Sequence, residues 1–236
     1  MEQWSAPVAL VGSGEYLPSM LEIERSLLKD RPPRYVQIAT AAVPDGPETV
    51  AKWHRLGAEQ AARLGVEQVV LAVETTEDAH DPAVVDLVRD AGLIYLSGGH
   101  PGFLADTLRG TPLWAAIVAQ LQAGSALAGC SAGAMALASW VPTLRHPRGG
   151  GTEGLGLLPH LRILPHFDAF IGRLPDLATR LLTDRESNVT VVGVDEETAL
   201  VGGPTRFEVR GRGSAWVLSS NGREEFVAGS ILEVPA

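Results

Sequence analysis

Gly129-Cys130-Ser131-Ala132-Gly133 sets a serine between two glycines, with a short apolar run before it and small helix-forming residues after it. In this G-x-S-x-G setting a serine can act as a nucleophile, because a sharp strand-to-helix turn lifts its oxygen off the sheet edge. The small residues Ala128, Gly129, Ala132, Gly133 and Ala134 would let strand and helix approach each other. The N–H of Ala132 would then face a developing oxyanion, and the Gly98-Gly99 turn would supply a second N–H. The competing reading is a tight junction whose small residues merely allow close packing. Cys130 is the stronger intrinsic nucleophile by type, but it lies one residue early. Its side chain should point into the sheet as a small buried hydrophobe.

A serine is inert near neutral pH unless a base takes its proton. The chain has six histidines, His54, His80, His100, His146, His160 and His166. His166, in Leu164-Pro165-His166-Phe167, stands at a strand end that suits a fixed, partly buried imidazole, and is the leading candidate. A satisfied histidine beside a turn remains the alternative. An orienting carboxylate could come from Asp195-Glu196-Glu197, directly after the apolar run Val191–Val194. Three consecutive acids also fit a solvated turn. The order serine, histidine, acid differs from the serine, acid, histidine order of an α/β-hydrolase.

The elements that must carry these residues can be read from periodicity. Val8–Val11, Tyr35–Ala39, Val66–Val73, Leu93–Leu96 and Ala126–Gly129 read as strands. Helical patterns cover residues 18–29, 48–64, 82–91, 112–123 and 132–138, with Pro47 at a helix start and Gly124 as a C-cap. This alternation predicts a mostly parallel sheet covered on both faces. Ligands of such sheets bind beyond the carboxyl ends of the strands. Gly12-Ser13-Gly14, Gly98-Gly99 and Ser131 each follow a strand and should gather there. Residues 142–154 read as a loop and 169–184 as a helix. Arg162–Leu164, Val189–Val194, Thr198–Val201, Arg206–Val209, Ala215–Leu218 and Ile231–Val234 read as short strands, the later ones as antiparallel hairpins closing the sheet. No repeat or linker divides the chain, which predicts one domain over residues 1–236.

Composition narrows the function classes. A formal charge of −9 argues against a general nucleic-acid or anionic-membrane surface. A single cysteine precludes an intrachain disulfide, and the start Met1-Glu2-Gln3-Trp4 lacks a signal-peptide pattern; both fit a cytoplasmic protein. Scattered histidines and the absence of H-E-x-x-H argue against a metal. Gly12-Ser13-Gly14 lacks the third glycine of a dinucleotide loop, so no cofactor is expected. Glu15 either lines the site or is a helix-entry acid. Arg145 and Arg148 could meet a peptide carboxylate from the 142–154 loop, or be solvated.

Taken together, the chain resembles the dipeptidase E and cyanophycinase family of serine peptidases. The matching segments are Leu96-Ser97-Gly98-Gly99, Gly129-Cys130-Ser131-Ala132-Gly133-Ala134, Gly154–Pro159, Pro165-His166-Phe167, Arg173-Leu174 and Gly193–Ala199. The resemblance implies a three-layer, flavodoxin-like sandwich of the class I glutamine amidotransferase type. It implies Ser131 as nucleophile, His166 as base and Glu196 as third member. Gly99 and Ala132 would form the oxyanion hole, with Gly98, His100 and Arg173 near the substrate. Leu164-Pro165 replaces the polar pair of cyanophycin-cleaving members, His100 alters their G-G-x-Q, and their arginine cluster is thinned to Arg173. These departures favour the dipeptidase branch, whose members cleave after an N-terminal aspartate. The expected partner is a small peptide substrate, with a homodimer allowed. A catalytically silent binding module, or a glutaminase using Cys130, are the other readings of this scaffold.

Overall fold

Strands and helices alternate as β1 (Val8–Val11), α1 (Leu21–Leu28), β2 (Arg34–Ile38), α2 (Pro47–Leu64), β3 (Glu67–Leu71), α3 (Pro82–Asp86), β4 (Leu93–Leu96), α4 (Pro101–Leu108), α5 (Pro112–Ala123), β5 (Ala126–Cys130) and α6 (Ala132–Ala136). The remaining strands are β6 (Trp140–Pro142), β7 (Gly151–Glu153), β8 (Leu161–Leu164), β9 (Thr190–Val194), β10 (Thr198–Gly202), β11 (Arg206–Gly211), β12 (Ser214–Ser219), β13 (Gly222–Val227) and β14 (Ile231–Glu233). The computed structural model describes residues 4–142, 150–171, 189–219 and 222–235.

β1, β4 and β5 are buried at every position, as expected of parallel strands covered on both faces. Alternate residues serve opposite layers. Leu10, Ile94, Leu96 and Leu127 pack with Leu104, Leu108, Ile117 and Leu121 from α4 and α5. Ala9, Val11, Tyr95, Ala128 and Cys130 pack with Ile23 and Leu27 of α1 and Ala61 of α2. Each fully buried aliphatic side chain contributes roughly 2 kcal/mol. The result is a three-layer α/β sandwich. Local signals agree with it: the Thr111 hydroxyl caps α5 by accepting the Trp114 N–H, Pro112 follows, and Gly124 ends the helix with φ +114°.

The large sheet runs β14-β11-β10-β1-β5-β4-β2-β3. β1, β5, β4, β2 and β3 are parallel, while β10, β11 and β14 add antiparallel strands beside β1. The C-terminal strands do not all close this sheet. β9 and β12 belong to a second sheet, β13-β12-β9-β8, in which β8 and β9 are parallel. Valine-rich β9 suits a buried strand of either sheet, so its sequence does not choose between them. Gly193 leaves room for the Phe167 ring, from which a Cβ would lie only 2.4 Å.

β13 and α4 were not expected from the sequence. β13 is an edge strand, mostly exposed and charged, without an alternating apolar signal. α4 is short and begins Pro-Gly, which reads as a turn. The predicted 142–154 loop has a small hairpin at its ends, β6 with β7. Its arginines Arg145 and Arg148 lie outside the described residues, as does most of the predicted 169–184 helix; residues Phe167–Ile171 form a wide helical turn.

Candidate active site

At the carboxyl end of β5 the chain turns into α6 at Ser131, whose φ is 49° and ψ −106°. Few non-glycine residues adopt this backbone conformation, and its cost is of order 1–3 kcal/mol. The surroundings enforce it. A Cβ on Gly129 would lie 2.6 Å from the Gly133 carbonyl carbon, and one on Gly133 would lie 2.3 Å from the Leu96 carbonyl oxygen. The Ser131 N–H donates to the Val11 carbonyl at 2.9 Å, fastening the turn to β1.

The kink brings the Ser131 Oγ to 3.0 Å from His166 Nε2. The other ring nitrogen, Nδ1, lies 2.8 Å from Glu196 Oε1. With Nδ1–H donating to the carboxylate, Nε2 is left to accept the serine proton. His166 and Glu196 reach this line from the second sheet. Parallel pairing sets Leu164 opposite Gly193, so the segments after β8 and β9 leave from the same edge. The His166 and Glu196 side chains keep 30% and 44% of their exposure, enough for a substrate to approach the line.

The three consecutive acids diverge. Asp195 turns inward, accepting the Ser214 N–H at 2.9 Å and the Trp216 Nε1–H at 3.0 Å. Burial pushes its carboxyl above the ordinary range, and it serves to lock β12 to the end of β9. Glu196 faces His166. Glu197, with φ 53°, donates its N–H to the Ser13 carbonyl and pairs with Arg212 at 3.0 Å. The Glu196 N–H is held by Asp168 Oδ1 at 3.0 Å. No sequence signal marks Asp168 beyond its place two residues after His166.

Gly98 and Gly99 follow β4 beside Ser131. A Cβ on Gly98 would lie 3.5 Å from the Ser131 Cβ and 2.3 Å from Glu15 Oε1. Gly99, at φ +141°, passes so close to Ala41 that a Cβ would lie 2.2 Å from its carbonyl oxygen. The Gly98 N–H is taken by Glu15 Oε1 at 2.9 Å. Neither the Gly99 nor the Ala132 N–H meets an acceptor among the described residues. These two groups can therefore donate to an oxyanion.

His100 Nε2 pairs with Asp45 Oδ1 at 2.8 Å, half-exposed, beyond Gly99. Arg173 lies outside the described residues. His160 is buried with Nε2 2.9 Å from the Pro204 carbonyl oxygen, and His80 bonds the Thr76 carbonyl through Nδ1. Cys130 is fully buried, and burial, followed by the nearby Glu15 carboxylate, pushes its thiol well above the usual range. A buried thiol held protonated in this way is poorly suited to nucleophilic attack. Among the described residues no group of three or more His, Cys, Asp or Glu converges as a metal site would, and no helix is long and apolar enough to cross a membrane.

A serine, histidine and glutamate in hydrogen-bonded line at the carboxyl edge of a three-layer α/β sandwich form a layout suited to acyl transfer. The model of peptidase family S51 matches residues 8–208, and the chain belongs to this family, that of dipeptidase E. The chain is 42% identical to a peptidase from an acI-B1 Actinobacterium, with a TM-score of 0.88 covering 98% of this chain and 97% of that one. A putative peptidase E protein from Listeria monocytogenes EGD-e shares the fold at 17% identity, with a TM-score of 0.62 covering 88% of this chain and 99% of the other. A search of curated proteins gives no match.

Proposed function

We propose that this chain is a serine peptidase that hydrolyses short peptides through an acyl-enzyme on Ser131, in the manner of a dipeptidase. The reading rests above all on the 3.0 Å contact between Ser131 Oγ and His166 Nε2, continued to Glu196 at 2.8 Å. His166 takes the serine proton as the oxygen attacks the scissile carbonyl. The oxyanion is held by the N–H groups of Ala132 and Gly99. His166 then passes the proton to the departing amine, and water repeats the sequence to release the acid. Glu196 keeps the Nδ1–H tautomer and stabilises the imidazolium.

Two measurements test this. A fluorophosphonate should add once to the wild type, at Ser131, and not to Ser131→Ala. A panel of dipeptides varied at the N-terminal residue, with isoaspartyl peptides alongside, should be cleaved by the wild type only. The aspartyl members are the expected preference. A wild type that takes no adduct and cleaves nothing overturns the proposal.

A further inference from the structure

The end of β1 supplies no member of the Ser131–His166–Glu196 line, yet the Ser131 turn, the segment after Glu196 and the Gly98-Gly99 turn are all tied to it. Val11 accepts the Ser131 N–H at 2.9 Å, Gly12 donates to the Thr198 carbonyl at 2.9 Å, and Ser13 accepts the Glu197 N–H at 3.2 Å. Those ties are backbone to backbone. The Ser97-Gly98-Gly99 turn is different, because its ties to this segment run through side chains. Glu15 Oε1 accepts the Gly98 N–H at 2.9 Å, and the Tyr16 hydroxyl lies 2.6 Å from Ser97 Oγ.

The turn needs such a tie. Backbone bonds hold its two ends, from Ser97 to the Ile38 carbonyl at 2.9 Å and from His100 to the Ala41 carbonyl at 2.7 Å. Between them lie two glycines, whose peptide planes rotate at little steric cost. The plane joining Gly98 to Gly99 carries the N–H that would meet an oxyanion. Its neighbour, joining Ser97 to Gly98, is set by the carboxylate of Glu15. An ionised acceptor makes this bond stronger than a neutral one would. Glu15 is itself fixed between two residues at positive φ, Gly14 at 92° and Tyr16 at 61°. Gly14 packs on the Glu197 side chain, where its Cβ would lie 3.2 Å from Cγ. The Tyr16 ring is buried against Tyr95 and Trp53, and its hydroxyl oxygen accepts a hydrogen bond from Gln37 Nε2 at 2.7 Å.

We infer that Glu15 is a positioning residue: its carboxylate locks the Gly98-Gly99 turn in the orientation that aims the Gly99 N–H at the oxyanion. This rests on the serine-peptidase reading of the site. Glu15 forms no hydrogen bond to Ser131 or His166 among the described residues; its bond to the Gly98 N–H is what reaches the turn.

The test uses the rate of Ser131 phosphonylation by a fluorophosphonate, which needs the oxyanion hole but no knowledge of the natural substrate. Glu15→Ala should slow the bond-forming rate constant by about 100-fold, the scale of losing one oxyanion donor. The reagent's initial dissociation constant should change by less than threefold. Glu15→Gln, whose amide oxygen can still accept the Gly98 N–H, should recover to within about fivefold of wild type. The shape of the reaction's pH profile should not change. Should Glu15→Ala fail to fold, Glu15→Asp, one methylene short of Gly98, takes its place with the same expected slowing. Labelling of Glu15→Ala at the wild-type rate overturns the inference and leaves the peptidase reading standing. Equal loss in Glu15→Gln and Glu15→Ala also overturns it, in favour of a role for the charge itself. A wild type that takes no label overturns both.

Discussion

The Glu196 N–H donates to Asp168 Oδ1 at 3.0 Å, so a residue just past His166 fixes the backbone of the acid that His166 faces. The two loops are thereby held together twice, by the imidazole–carboxylate contact and by this bond beneath it. Asp168→Ala should lower kcat/KM by about tenfold, the scale of losing a hydrogen bond to a charged acceptor. Asp168→Asn, which still presents an oxygen, should stay within threefold. Steady-state kinetics on any dipeptide cleaved by the wild type will decide; equal activity in all three proteins removes Asp168 from the account.

Ser131 has a strained backbone, and two substitutions separate that strain from the proposed chemistry. Ser131→Ala and Ser131→Gly should both lose roughly 10³-fold or more in turnover, since neither has a nucleophile. Only glycine accepts φ 49° without a steric penalty. Ser131→Gly should therefore unfold about 1 kcal/mol less readily than Ser131→Ala, the relief of strain outweighing the backbone entropy of glycine. Denaturant titration of both variants reads this directly, and a less stable glycine variant contradicts it.

Glu24 gives the fold a pH dependence independent of the active site. It is buried between α1 and the sheet, near Gln60 and Tyr35, with neither carboxylate oxygen in a well-formed hydrogen bond. Burial raises its carboxyl from the ordinary 4.5 to about 7. The folded protein thus keeps a proton that the unfolded chain has already released. Stability is greatest below pH 4.5 as far as this group is concerned, falls as pH rises through the window to 7, and levels off above it. The loss should reach roughly 3 kcal/mol. Glu24→Gln, which cannot ionise, should remove that slope. Urea unfolding of both proteins between pH 5 and pH 8 checks the difference, and parallel pH profiles refute it.

Cys130 should ignore thiol reagents in the native protein. Its side chain is fully buried and its thiol is held protonated by burial and by Glu15. Iodoacetamide should leave activity and mass unchanged under native conditions and add once in denaturant. Inactivation of the folded protein, with the label on Cys130, would favour a thiol-dependent reaction such as glutaminase.

β1, β4 and β5, and with them the turn at Ser131, were legible because fully buried apolar runs ending in glycine or small residues allow few other structures. His166 was legible as an imidazole after a strand. Glu196 was not separable from Asp195 and Glu197 by its own chemistry. The three are distinguished by what lies around the end of β9: Ser214 and Trp216 draw in Asp195, Ser13 and Arg212 hold Glu197, and Glu196 is left for the imidazole. Those partners are remote in sequence, so periodicity carries no trace of them; only the family resemblance selected Glu196. The division of the C-terminal strands into two sheets was equally hidden, because the buried runs of β9 and β10 look the same whichever neighbour each pairs with. Glu15 could have been favoured over a helix-entry role, since it follows a strand ending at the same edge as Ser131.

Ser131 follows β5 of the large sheet, while His166 and Glu196 follow adjacent strands of the small one. Imidazole and carboxylate consequently travel as a single cassette. A sliding of one layer past the other by a fraction of an ångström would stretch the serine–imidazole gap and leave the imidazole–carboxylate distance intact. In the proposed mechanism, proton abstraction is then the step most sensitive to how the two sheets dock, and substitutions at their seam, far from any reacting atom, should tune turnover without altering a single group in the line.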